Sequence, residues 1–131
     1  MLKEQDMKQY LNEKMIAFKE NTSIIGVIFP SKFTYALGPV ATAFSMQYYA
    51  MNFNDSGIAI IGLNNVTGKL EKEAFLFVTK EEITSVKCNK KLMSYELEIS
   101  TSQGTLAFKV NKIMVGASWH KQNLETILKS L

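Results

Sequence analysis

The stretch from residue 93 to 110 constrains this chain more than any other. Met93, Tyr95, Leu97 and Ile99 alternate with Ser94, Glu96, Glu98 and Ser100. A period of two puts one set on each face of a strand, so the segment turns one face to a core and the other to water. Thr101-Ser102-Gln103-Gly104 reads as a turn, after which Leu106, Phe108 and Val110 alternate with Ala107 and Lys109. The spacing predicts a β-hairpin over 93–110. A lone hairpin is marginal in water, so the remainder of the chain must cover its apolar face.

Upstream, the same strand-like punctuation recurs. Ile24 to Phe29 is a β-branched and aromatic run stopped by Pro30, and Phe33 to Leu37 reads as a second strand before the Gly38-Pro39 break. Val40 to Phe53 is long and apolar-rich, and reads either as one long strand or as a loop followed by a strand. Asp55-Ser56-Gly57 is a turn leading into a strand from Gly57 to Leu63. A polar loop, Asn64 to Lys69, precedes a short strand from Ala74 to Val78. A charged connector at Lys80-Glu81-Glu82 leads to a strand over Ile83–Lys87.

Helical periodicity appears at the two ends. Met7, Leu11, Met15 and Phe18, at spacings of four, four and three, predict a helix over residues 2–20 with one apolar stripe. Leu124, Ile127, Leu128 and Leu131 predict a second amphipathic helix over 118–131, with Ser118 as its N-cap and Lys129 suiting the dipole of its last turn. The 131 residues are of single-domain length, and no linker or repeat divides them. The expected organisation is therefore one domain over 1–131: a helix over 1–20, antiparallel strands over 23–110, and a closing helix over 118–131.

The order helix, strand meander, helix resembles the pleckstrin-homology-like (PH-like) domains, and specifically the bacterial YokE-like PH domains. The resemblance is carried by Phe53-Asn54-Asp55-Ser56-Gly57-Ile58-Ala59-Ile60, by Ile83-Thr84-Ser85-Val86, by Tyr95-Glu96-Leu97-Glu98-Ile99 with Gly104, and by Phe108-Lys109-Val110 before the last helix. It covers roughly residues 50–131 and is one of pattern. It implies an α+β fold: a strongly bent antiparallel β-barrel or sandwich of about seven strands, with a C-terminal capping helix and an extra N-terminal helix. It also implies a binding or assembly module rather than an enzyme. The basic Lys…Arg motif of phosphoinositide-binding PH domains is missing, because all 15 basic residues are lysine.

That lysine-only composition also argues against sequence-specific nucleic-acid recognition, for which arginine's planar fork is the preferred tool. Net charge is a mild +3. One cysteine, Cys88, and one histidine, His120, leave no disulfide and no zinc-ligand cluster, so neither metal nor cofactor is expected. Acidic and polar residues at the start occupy the place where a secretory signal would be apolar, and no run approaches a membrane span, so a cytoplasmic location is expected.

Candidate sites follow from what remains. A nucleophilic mechanism would need Cys88 activated by His120, yet Val86-Lys87-Cys88-Asn89 resembles no nucleophile turn. Glu96 and Glu98 share one strand face, about 7 Å apart, and their alternation with apolar residues makes that face the wet one. Lys87, Lys90 and Lys91 surround an expected hairpin tip at Cys88–Leu92. They are either a solvated turn or a weak, salt-sensitive contact for anionic lipid headgroups. Trp119 is expected to anchor the last helix by bonding its indole N–H to a carbonyl. Met46, Tyr48, Tyr49, Met51 and Phe53 form a methionine and aromatic block. As core it needs no partner; if both its faces are apolar, one must meet the N-terminal helix or a neighbouring subunit. The leading expectation is a non-catalytic PH-like module working through protein contacts, self-association included. Behind it stand a peripheral binder of anionic lipid and a small-ligand binder using a barrel cavity.

Overall fold

The hairpin at 94–111 forms as its alternation requires. In the computed structural model, which describes residues 2–37, 44 and 47–131, strand β6 (Ser94–Thr101) pairs antiparallel with β7 (Gly104–Asn111), Leu97 opposite Phe108 and Ile99 opposite Leu106. All four side chains are buried. The turn depends on Gly104, whose φ of +117° disfavours any L side chain, and whose Cβ would lie 2.6 Å from the Thr34 carbonyl. Met93, counted with the strand by periodicity, lies instead in the exposed turn before it.

Five more strands complete the sheet among the described residues: β1 (Ser23–Ile28), β2 (Tyr48–Asn54), β3 (Gly57–Leu63), β4 (Leu70–Thr79) and β5 (Ile83–Lys90). All neighbours are antiparallel, in the order β4-β3-β2-β1-β7-β6-β5. That order has a geometric consequence. Strands β4 and β5 are the two edges, yet only Lys80–Glu82 joins them. Six inter-strand spacings would separate the edges of a flat sheet by roughly 29 Å, whereas such a connection reaches at most about 14 Å. The sheet must therefore curl until its edges converge there. Glu82 braces the connection, its carboxylate accepting from the Thr79 amide at 3.0 Å and the Thr79 hydroxyl at 3.3 Å.

Curling makes an inside and an outside. Met51, Ile60 and Val78 from one half of the sheet share an inner core with Leu97, Ile99, Leu106 and Phe108 from the other. Helix α2 (Trp119–Ser130) adds Leu124 and Ile127 to it. Helix α1 (Glu4–Glu13) instead covers the outside of β1–β3, packing Met7, Tyr10 and Leu11 on Ile25, Ala50, Ala59 and Ile61. The fold is thus α+β, built on one curled antiparallel sheet with a helix at each end of the chain.

Several sequence expectations are corrected. The first helix stops at Glu13, not residue 20: Met15 turns to φ +57°, its N–H bonding Asn12 C=O while Ile16 N–H bonds Leu11 C=O. That pair of bonds is a Schellman stop, normally signalled by glycine. Met15 consequently leaves the apolar stripe for solvent, and Leu131 at the other end of the chain is likewise exposed. Residues 33–37 are not a strand. Pro30–Lys32 forms a 3₁₀ turn, after which Thr34 and Tyr35 both donate to the single carbonyl of Thr105. Strand β4 begins at Leu70 rather than Ala74. Ser118 makes no side-chain cap bond. Within Val40–Phe53, the described strand is β2; residues 40–43, 45 and 46 lie outside the described residues.

Candidate functional site

The lysine tip resolves into two faces. Residues directly opposite in an antiparallel pair share a face. Lys87 stands opposite Glu98, whereas Lys90 stands opposite Tyr95. Lys91, beyond the end of β5, lies 3.6 Å from Glu96. The three cations are exposed, as expected, but they do not form one patch, and the tip lies at Lys91–Met93 rather than Cys88–Leu92. Glu96 and Glu98 do point outward, yet they are half-buried beneath Lys32, whose ammonium lies 3.3 Å from Glu96 and 3.9 Å from Glu98.

The aromatic block divides in the same way. Tyr49 and Met51 are fully buried in the inner core, where the Tyr49 ring stacks on Phe44 at 5.0 Å. Phe53 is half-buried beside them. Ala50, on the opposite face of the same strand, is covered by α1, so the second apolar face finds its cover within the chain. Among the described residues of the block, Tyr48 is the exposed one. Met46 lies outside the described residues.

His120 and Cys88 sit in different surroundings. His120 is fully buried at the seam where β1 and β7 part company. The two strands pair only at Val27–Lys109 and Ile28–Phe108. Farther along, the imidazole fills the gap: Ile25 N–H donates to Nδ1 at 3.1 Å, so Nε2 carries the proton and donates to Asn111 C=O at 2.6 Å. One turn later Asn123 donates to Ser23 C=O at 3.0 Å. Burial holds the imidazole pKa below its ordinary value, against a smaller opposing pull from the Asn111 carbonyl. Cys88 is half-buried on β5, and desolvation pushes its thiol up to about 11, far from the thiolate a nucleophile needs. No group of three or more His, Cys, Asp or Glu able to hold a metal occurs among the described residues.

One concavity lies on the outer face, next to Leu2 just ahead of the chain's first helix. It has a volume of about 630 Å³ and a floor of Ile25, Tyr48 and Leu63. Two braced turns wall it. In the β3–β4 loop the Asn64 carboxamide oxygen accepts from both Val66 N–H and Thr67 N–H at 2.9 Å, while its amide nitrogen donates to Glu71 at 2.7 Å. Those bonds hold Val66 out in water, 93% exposed. Opposite, Met114 to Ala117 closes a β-turn with Ala117 N–H on Met114 C=O at 3.2 Å, and Gly116 supplies the φ of +84° that a type II turn needs. Its apex is Val115, 89% exposed. Val66 and Val115 are thus held in solvent at hydrogen-bonded turns, and Ile113, 65% exposed, lines the same groove.

Comparison with protein-family models, curated proteins and solved structures finds no match to this chain. Its function must therefore be argued from the site itself. Sequence reading found Tyr48 but not the groove. Val66 sits in a segment read only as a polar loop, and Val115 follows the last recognisable strand. The one available signal was the pairing of apolar residues with Asn-Asn and Gly turn chemistry in Asn64-Asn65-Val66 and Val115-Gly116.

Proposed function

We propose that this chain is a non-catalytic, PH-like binding module that works through protein–protein contacts at the outer groove, self-association among them. The observation that carries the reading is the exposure of Val66 and Val115 on braced turns over the Ile25–Tyr48–Leu63 floor. Exposed apolar side chains rimmed by polar groups mark docking surfaces, and fixing them in advance lowers the ordering cost of association. The PH-like assignment draws support from the antiparallel meander curled around one C-terminal helix. The non-catalytic reading draws support from the engagement of both His120 ring nitrogens and the raised Cys88 thiol.

Light scattering over a concentration series tests the proposal, with Val66→Asp/Val115→Asp as the control. Both residues are exposed, so the variant should keep its far-UV spectrum and unfolding midpoint. The native chain should self-associate or retain a protein partner on affinity capture, and the variant should do neither. A native chain that stays monomeric and captures the same proteins as the variant would sink the reading.

A further inference from the structure

A second exposed apolar feature lies away from the groove floor, at the apex of the β5–β6 hairpin. Leu92 and Met93 are 88% and 74% exposed, adjacent, and at the point of a turn. At that exposure little of the protein surrounds the two side chains, so the tip reads as a convex point. Cations ring it. Lys90 and Lys91 precede it in sequence and are exposed. Lys112, on the segment after β7, donates its ammonium to Leu92 C=O at 3.1 Å, and its backbone N–H reaches Met93 C=O at 3.5 Å. It also lies over the Tyr95 ring at 5.8 Å. Among the described residues neither Lys90 nor Lys112 has a carboxylate within ion-pairing distance. Lys91 does pair with Glu96 at 3.6 Å, but Lys32 holds the same Glu96 oxygen at the shorter distance of 3.3 Å. The acid keeps a partner if Lys91 turns away.

We propose that this tip is a membrane-docking element, in which Leu92 and Met93 enter the interface of an anionic bilayer while Lys90, Lys91 and Lys112 rest on its headgroups. A bilayer interface accepts a convex apolar point without preformed complementarity, and an anionic leaflet attracts the surrounding ammonium groups. Neither term holds a protein on a membrane alone, and stable attachment takes two such signals together. The charge set differs from the one legible in sequence: Lys112 replaces Lys87, which faces Glu98 along the strand. The proposal stands independently of the groove, since its residues are different ones.

Co-sedimentation of the full chain with phosphatidylcholine vesicles, with and without phosphatidylserine, is the test. The native chain should bind only the anionic vesicles. Leu92→Ser/Met93→Ser should lower partitioning at least tenfold with the far-UV spectrum unchanged, because the turn's backbone bonds remain. Lys90→Gln/Lys91→Gln/Lys112→Gln should lower it about a hundredfold, at roughly fivefold per lysine. Raising salt from about 0.1 M to about 1 M should reproduce that loss in the native chain. Val66→Asp/Val115→Asp should bind vesicles like the native chain, which separates this tip from the groove. Absence of native binding to the anionic vesicles overturns the proposal, as does undiminished binding by the Leu92/Met93 variant. If that variant loses self-association in light scattering while vesicle binding is unchanged, the tip is a protein contact and the proposal is equally overturned.

Discussion

Helices α1 and α2 both pack on β1, from opposite faces of the sheet and by different means. Helix α1 meets the outer face through side chains alone: Met7, Tyr10 and Leu11 lie on Ile25, Ala50 and Ile61. Its polar tie to the sheet is peripheral, the Tyr10 hydroxyl reaching Lys72 C=O at 3.3 Å. Helix α2 enters the curl. Leu124 and Ile127 complete the inner core, and His120 and Asn123 bond the backbone of β1 where it has no strand beside it. A backbone N–H buried without a partner costs about 1–3 kcal/mol, so α2 must replace a missing strand as well as cover apolar surface. The first helix is a lid on a finished sheet, and the second is part of the sheet's closure.

The sharpest way to break that contrast is to remove each helix in turn. Truncation after Ala117 should abolish cooperative folding. It removes the buried Leu124 and Ile127, worth about 1.5–3 kcal/mol each, takes the buried His120 and Asn123 from the backbone of β1, and also wets the inner faces of Ile24, Leu97 and Phe108. The total rivals a typical domain's stability of about 5–15 kcal/mol. Deletion of residues 1–14 should leave a chain that still unfolds in one step but associates through the bared Ile25, Ala50 and Ile61. Urea titration with light scattering distinguishes the two. A truncated chain that stays monomeric and cooperative would make α2 a lid as well.

His120 offers a finer cut. His120→Gln should lose about 1–2 kcal/mol in a denaturant titration: its amide carries an acceptor for Ile25 N–H and a donor for Asn111 C=O, but on a flexible side chain that loses rotamer freedom the rigid ring never had. The same residue predicts a pH dependence with a definite sign. Its folded pKa lies below the ordinary 6.5, so as pH falls through 6.5 the unfolded chain takes up a proton that the folded chain does not. Stability is full above that value and declines below it, by at most about 1.4 kcal/mol per pH unit. Glu4 acts oppositely and lower: burial raises its pKa above 4.5, so its folded form gains stability as pH falls toward that range. Urea midpoints at pH 7.5 and 5.5 should therefore differ in the native chain and converge in His120→Gln. Equal midpoints in the native chain would mean that the imidazole is not locked neutral.

How much of this was legible beforehand depends on whether a signal is local. The hairpin and the stripe of Leu124 and Ile127 were, because alternation and helical spacing record burial directly in order along the chain. The early residues of β4 were not: Lys72 and Glu73 are exposed on an edge strand, where polarity is tolerated and the apolar signal fades. His120 was read as a lone titratable group because its partners, Ile25 and Asn111, are brought to it only by the parting of β1 and β7. The groove was invisible for a similar reason: its floor and its two valine turns come from distant segments. The split of Lys87 from Lys90 followed from register, which no single strand reveals.

The smallest effects lie at the helix ends, where the two helices again differ. Helix α1 opens with Lys3 N–H donating to the Asp6 carboxylate at 3.2 Å, while Ser118 at the start of α2 makes no such bond. Ser118 has φ −60° and ψ −25°, already helical, so its hydroxyl is not turned toward the amides it was expected to receive. Ser118→Ala should therefore shift stability by less than about 0.3 kcal/mol, against the roughly 1 kcal/mol of a working cap. Asp6→Ala should cost about 0.5 kcal/mol, through the lost bond and the lost charge near the helix N-terminus. At the far end of α1, Met15 holds φ +57° with its side chain fully in solvent. Met15→Gly should then stabilise the protein, by up to about 1 kcal/mol, because relief of the left-handed strain exceeds the entropy glycine adds to the unfolded chain. A loss of stability in that variant would mean that α1 ends by a different geometry. A full cap's worth of loss in Ser118→Ala would mean that α2 begins with its hydroxyl bonded after all. Either result would shift the contrast, leaving packing and the His120 seam, rather than the helix termini, to separate the lid from the closure.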